Sequence, residues 1–292
     1  MANDVANDVG PDTYLVEPDW LEQHLYDPGI VVIDCSWYIP EAEKSARAEF
    51  GAGHIPGARF FDLDAASDAA SPYVNMLPSP AQFAAVAGGL GIGPDTLVVV
   101  YDSSYVSARV WWMFRHFGHN RVAILNGGWK RWLAAGYPVE AGLSDVAPVA
   151  HTTATPAARA GDVADWHDVQ AALADGSAGV VDARTHERFT GALPSGYPGV
   201  AGGHMPGAIN VPWGQLLPQA DDYTFVSPDQ ARAVMEAAGV DLARPLIATC
   251  GSGVTAAILL FQLARMGKTD VTLYDGSWHE WGQRDDLPKE TV

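Results

Sequence analysis

The chain repeats itself, and the repeat bounds what it can fold into. Four short anchors recur in the same order about 149 residues apart. VVID at 31–34 answers VVDAR at 180–184, and GHIPGA at 53–58 answers GHMPGA at 203–208. LVVVYDSS at 97–104 answers LIATCGSG at 246–253, which sets Asp102 opposite Cys250. NGGWKRW at 126–132 answers DGSWHEW at 275–281. A unit of this length is a domain rather than a solenoid repeat. The sequence therefore divides into a first domain over 1–143, a linker over 144–161 rich in Ala, Thr and Pro, and a second domain over 162–292.

Within each half, short apolar runs alternate with helical patterns. The runs at 30–34, 97–101 and 122–125 read as buried strands, and 80–90 and 106–117 as helices. In the second half the strands are 180–182, 246–249 and 271–274, and the helices 228–238 and 255–266. Strand and helix in alternation predict an α/β fold, here two tandem domains, each a mainly parallel sheet flanked by helices on both faces. Ligands of such sheets gather at the carboxyl ends of strands.

Cys250 falls at one of those ends. It follows the strand-like LIAT and precedes a run of good helix formers, with Gly251, Ser252 and Gly253 between. A lone Cys after a strand is ordinarily core packing. Core packing gives no reason for Gly-Ser-Gly directly after it, whereas a loop whose backbone N–H groups converge on an anionic sulfur does. A following helix start favours the thiolate, so Cys250 is predicted to be a nucleophile. Cysteine-dependent phosphatases hold phosphate with an Arg six positions after the Cys; that position is Ala256, and 251–261 contains no Lys or Arg. Phosphatase chemistry is disfavoured.

Composition excludes further classes. A net charge of −18 opposes nucleic-acid binding, and no basic stripe is present. No apolar run approaches the length of roughly 18 residues needed to span a membrane. MANDVANDVG at 1–10 is polar and acidic, which points to the cytoplasm. Two cysteines are too few for a disulfide framework, and Cys35, after the apolar run at 31–33, reads as packing. No phosphate-cradling loop and no metal-ligand spacing is visible, so neither cofactor nor metal is implied. His54 and His204, symmetric in the two halves, read as fold residues. Trp111, Trp112, Trp129, Trp132, Trp278 and Trp281 read as core or interface aromatics.

GHIPGA, SPYVNMLP at 71–78, ARVWWMFRHFGH at 108–119, GHMPGA, CGSGVTA and DGSWHEW together resemble, in order, the two-domain sulfurtransferases of the rhodanese superfamily. CGSGVT is similar to the active loop of their mercaptopyruvate-type members. The resemblance implies a catalytic second domain and a first domain that has lost its Cys, with Asp102 in its place. It implies that Cys250 accepts sulfur as a persulfide and passes it to cyanide, a small thiol or a thioredoxin-like protein. The backbone of Gly251, Gly253, Val254 and Thr255 would steady the anionic sulfur. Thr255 also reads as a helix cap. Ser252 would bond the persulfide or the donor's carbonyl, or is simply a small loop residue.

Arg188 matches the family arginine that holds the donor's carboxylate or sulfonate. A second family arginine, some nine residues on, is Tyr197 here. Arg109 could supply that charge or pair with an internal carboxylate, and Arg184 reads as the ion-pair partner of Asp182. A Ser-His-Asp relay in the mercaptopyruvate-type enzymes maps to Ser252, Asn75 and Asp64, with an asparagine that cannot shuttle a proton. The resemblance makes mercaptopyruvate the expected donor, with thiosulfate the rival. A reading of another class is a binding or sulfur-carrier module without donor turnover.

Overall fold

The computed structural model describes residues 14–143, 161–217 and 223–292. They form two compact units, one of 14–68, 78–143 and 223–225, the other of 69–77, 161–217 and 226–292. The division expected from sequence assigns 69–77 to the first domain; its contacts assign it to the second unit. The segment has no regular structure of its own, and two of its backbone N–H groups are bound by Asp275 and His279 of that unit. Apart from Gly161, the expected linker lies outside the described residues.

The first unit runs β1 (Leu15–Val16), α1 (Pro18–His24), β2 (Ile30–Asp34), α2 (Ala46–Ala52), β3 (Arg59–Phe60), α3 (Pro80–Gly89), β4 (Leu97–Tyr101), α4 (Ser107–His116), β5 (Val122–Leu125) and α5 (Gly128–Ala134). Its strands form one five-stranded sheet in the order β1-β5-β4-β2-β3, parallel at every pairing. All five residues of the central β4 are buried, as a strand covered on both faces requires.

The second unit runs β6 (Val163–Ala164), α6 (Trp166–Asp175), β7 (Gly179–Asp182), α7 (His186–Thr190), β8 (Ile209–Asn210), α8 (Pro228–Ala237), β9 (Leu246–Thr249), α9 (Ala256–Arg265), β10 (Val271–Tyr274) and α10 (Ser277–Trp281). Its sheet order, β6-β10-β9-β7-β8, is the same topology, again all parallel. Asp182 pairs with Thr249 as Asp34 pairs with Tyr101 in the other sheet.

The same local chemistry starts equivalent helices. Ser79 and Ser227 accept from the backbone N–H of Gln82 and Gln230, and each is followed by a Pro whose missing N–H costs nothing at the first helical position. α9 buries eight of its ten residues, including Ile258, Leu259, Phe261 and Leu263. Such a side chain contributes about 1.5–3 kcal/mol when fully buried, so α9 is held against the sheet and its first turn is fixed. His54 and His204 perform one fold task twice: each stacks on a Phe (Phe50, Phe189) and bonds that residue's carbonyl through Nδ1. Five of the six expected core tryptophans are buried, and Trp129 packs half-buried against the first core. No helix among the described residues is long and apolar enough to cross a membrane.

Candidate active site

Cys250 directly follows β9 and opens the loop that leads into α9, and it is buried at 1 % exposure. Ser277, the first residue of α10, fastens that loop. Its Oγ accepts from the N–H of Cys250 (3.2 Å) and of Gly253 (3.1 Å) and donates to the carbonyl of Tyr274 (2.8 Å). The Cys250 and Gly251 carbonyls accept from the N–H of Trp278 and His279, both at 2.9 Å. Ser277 pays a conformational cost for this position, a φ of +51° in the left-handed region. Gly253 also has positive φ, +77°, which a glycine adopts freely.

The first unit indicates what such a loop binds. There the residue opposite Cys250 is Asp102, whose carboxylate accepts from the N–H of Ser104 (3.0 Å), Val106 (2.7 Å) and Ser107. By the repeat these amides correspond to Ser252, Val254 and Thr255. Among the described residues, none of the N–H groups of Gly251, Ser252, Val254 and Thr255 has an acceptor. The loop beside Cys250 thus keeps the donors that its counterpart spends on a carboxylate, in the manner of a nest for an anion.

The 69–77 segment closes one side. Asn75, buried and at φ +58°, accepts through Oδ1 from the Ser252 hydroxyl at 3.0 Å. A hydroxyl has one proton. With that proton directed at Asn75, the Ser252 hydroxyl has its lone pairs left for other partners. Next to Asn75, the N–H of Val74 donates to His279 Nδ1 (3.1 Å), and the N–H of Leu77 to the buried Asp275 (2.7 Å). The His279 ring lies 4.6 Å from that of Tyr197 and 6.0 Å from that of Tyr73. Burial lowers its pKa below the usual imidazole value.

Arg188, in α7, is half-buried, and no carboxylate pairs with it among the described residues. Its guanidinium lies against Gly196, where a Cβ would come within 2.6 Å of Nη1. The adjoining Tyr197 reaches the cysteine loop, since a Cβ on Gly251 would meet its hydroxyl at 3.0 Å. Arg188, Tyr197 and Gly251 are thereby linked in sequence of packing. A side chain at Gly251 would press on the Tyr197 phenol.

Thr255 occupies the residue before α9 but has helical φ and ψ and makes no capping bond, so the cap reading is corrected. Asp64 is exposed in the first unit and accepts from Trp37 Nε1 at 2.8 Å. Arg109 is fully buried in α4, its guanidinium 5.4 Å from the Trp112 ring centre. Arg184 is the buried partner of Asp182, at 2.6 Å, and Cys35 is buried with its thiol directed at the Tyr101 carbonyl. Sequence reasoning missed Ser277, Asp275 and His279. All three lie in DGSWHEW, where the two tryptophans at helical spacing drew the reading towards core packing.

The profile of the Rhodanese-like domain matches this chain twice, at 17–135 and 165–284. The chain is 41% identical to human 3-mercaptopyruvate sulfurtransferase over 278 residues, 92% of each chain. It is also 41% identical to bovine thiosulfate sulfurtransferase, over 95% of this chain and 94% of the relative. The crystal structure of SseA from Escherichia coli, described as a 3-mercaptopyruvate sulfotransferase, superposes with a TM-score of 0.82 at 36% identity, covering 91% of this chain and 99% of that one. With two such domains in tandem and relatives of this kind over nearly its full length, the chain belongs to the rhodanese-like family and is a sulfurtransferase.

Proposed function

We propose that this chain moves sulfur from 3-mercaptopyruvate to a thiol or cyanide through a persulfide on Cys250. The Cys250 thiolate attacks the donor sulfur, the S–S bond forms as the donor's C–S bond breaks, and the electron pair leaves with the pyruvate enolate, which takes a proton from water. Cyanide or an acceptor thiol, small or carried by a thioredoxin-like protein, then removes the outer sulfur. The observation that carries this reading is the set of unspent N–H groups on Gly251, Ser252, Val254 and Thr255, matched to the amides that hold the Asp102 carboxylate in the first unit. Arg188, without a carboxylate partner among the described residues, is the cation for the donor's carboxylate.

Thiosulfate is the second donor to weigh, because the bovine relative carries that name at the same identity. Thiosulfate is a dianion, and the loop after Cys250 offers no basic side chain through residue 261. That favours the monoanionic donor. Intact-protein mass spectrometry after exposure to mercaptopyruvate tests the proposal: a gain of one sulfur, absent in Cys250→Ser and removed by cyanide, is expected. An unmodified wild-type chain refutes it, and sulfur loading from thiosulfate alone reassigns the donor.

A further inference from the structure

Breaking the donor's C–S bond places negative charge on its keto oxygen, whereas the groups assigned above serve other atoms: the loop amides the sulfur, and Arg188 the carboxylate. The Ser252 proton is directed at Asn75, and Asn75 spends Oδ1 on receiving it. Another side chain in the second unit is anchored beside the cysteine loop. The backbone of His279 is tied to the cysteine loop by the bond from its N–H to the Gly251 carbonyl (2.9 Å). Its ring is tied to the same loop by two further routes. One passes through Tyr197, 4.6 Å away, whose hydroxyl lies over Gly251. The other passes through Val74, whose N–H is bound to Nδ1, and on through the adjoining Asn75 to Ser252.

These contacts also set the ring's protonation. A nitrogen that accepts a hydrogen bond from a backbone N–H carries no proton, so Nδ1 is bare and Nε2 holds the hydrogen. Burial disfavours the imidazolium. The ring is a neutral donor through Nε2, and that N–H has no acceptor among the described residues.

We infer that His279, through Nε2–H, hydrogen-bonds the keto oxygen of an α-keto thiol bound at Cys250 and stabilises the enolate as sulfur leaves. The role is electrophilic: a neutral imidazole polarises a carbonyl and keeps its proton, while the enolate carbon is protonated by water. The inference rests on the mercaptopyruvate reading above. It deepens that reading by assigning the oxyanion donor to α10 rather than to the relay that Asn75 interrupts.

Two variants separate the ring's nitrogens. His279→Asn keeps an acceptor for the Val74 N–H near the position of Nδ1 and removes the Nε2 donor. His279→Gln places an amide N–H near the position of Nε2. Rapid-mixing experiments on the full chain read two half-reactions: pyruvate release on loading Cys250 from mercaptopyruvate, and thiocyanate formation when the loaded enzyme meets cyanide. The second involves no keto oxygen. Loss of one oxyanion donor typically slows chemistry by about 10²-fold. His279→Asn is expected to slow pyruvate release by about that factor at saturating donor, with cyanide discharge changed less than about threefold, and His279→Gln to recover part of the loss. Equal slowing of both half-reactions, or pyruvate release at the wild-type rate in His279→Asn, overturns the inference. If the wild-type chain releases no pyruvate at all, the donor assignment itself fails and the inference falls with it; if it does release pyruvate and only the variants contradict expectation, the inference alone falls.

Discussion

Replacing Ser277 by glycine and by alanine reverses the usual order of those two residues. In wild type the Ser277 hydroxyl accepts from the N–H of Cys250 and Gly253, and both variants strand those two donors. A buried donor without an acceptor costs about 1–3 kcal/mol, so with two stranded each variant loses roughly 2–6 kcal/mol on that account. The backbone at 277 sits at φ +51°, where an L side chain costs about 1–2 kcal/mol and glycine nothing. Glycine returns roughly 0.4–1 kcal/mol of this through the greater freedom of its unfolded chain. The expected order of stability is therefore Ser, then Gly, then Ala, with Ala below Gly by about 0.5–1 kcal/mol. Urea unfolding followed by tryptophan fluorescence measures the order, and hydrogen exchange at the Cys250 and Gly253 amides reports the loop directly. The same residues in the first unit support the argument, because Gly128 stands opposite Ser277 with the identical φ of +51°. An Ala variant as stable as the Gly variant, or amides that stay fully protected in both, would refute the reasoning.

Burial pushes the Asp34 carboxyl up to about 6, so between about pH 4 and 6 the folded chain holds a proton that the unfolded chain has lost, and its stability falls as pH rises through that window. Asp34→Asn, which keeps an acceptor for the Ser36 N–H, is expected to be more stable than wild type by on the order of 3 kcal/mol at pH 8 and equal to it below pH ~4; a difference that does not vary across urea titrations from pH 4 to 8 refutes this. Asp102→Ala strands the amides of Ser104, Val106 and Ser107 and is expected to destabilise the chain by about 2–4 kcal/mol, despite removing a buried carboxylate, with a loss under ~1 kcal/mol by urea unfolding counting against it.

The long central strands were legible because burial on both faces writes them as unbroken apolar runs: 30–34, 97–101, 122–125, 246–249 and 271–274 are observed with the same bounds. The edge strands Leu15–Val16, Arg59–Phe60, Val163–Ala164 and Ile209–Asn210 were not, since two residues carry no period to detect. The Cys250 loop was legible from its glycines. Its surroundings were not. Asn75 meets Ser252 across 177 positions and Val74 meets His279 across 205, and such pairings leave no local pattern. Thr255 was misread as a cap because its residue type suits the task; its helical backbone leaves the side chain no capping bond to make.

The two units use one loop for opposite ends, and the difference is a matter of charge. Asp182 and Asp34 hold equivalent places at the ends of their strands, each accepting from the backbone N–H two residues on. In the second unit that residue is Arg184, whose guanidinium pairs with Asp182 at 2.6 Å. In the first it is Ser36, which brings no cation, and burial raises the Asp34 carboxyl. At the end of the neighbouring strand, Asp102 adds a second buried acid, also raised by its burial, and its carboxylate accepts from the loop amides. Such a loop has no donors left for another negative group. Beside Cys250 the neighbouring acid is already neutralised by Arg184, Ser277 holds two of the amides by their own hydroxyl acceptor, and the amides of Ser252, Val254 and Thr255 remain unspent. The duplication thus preserved the loop in both units, its amides bound by the Asp102 carboxylate in the first and, among the described residues, left unspent beside Cys250 in the second.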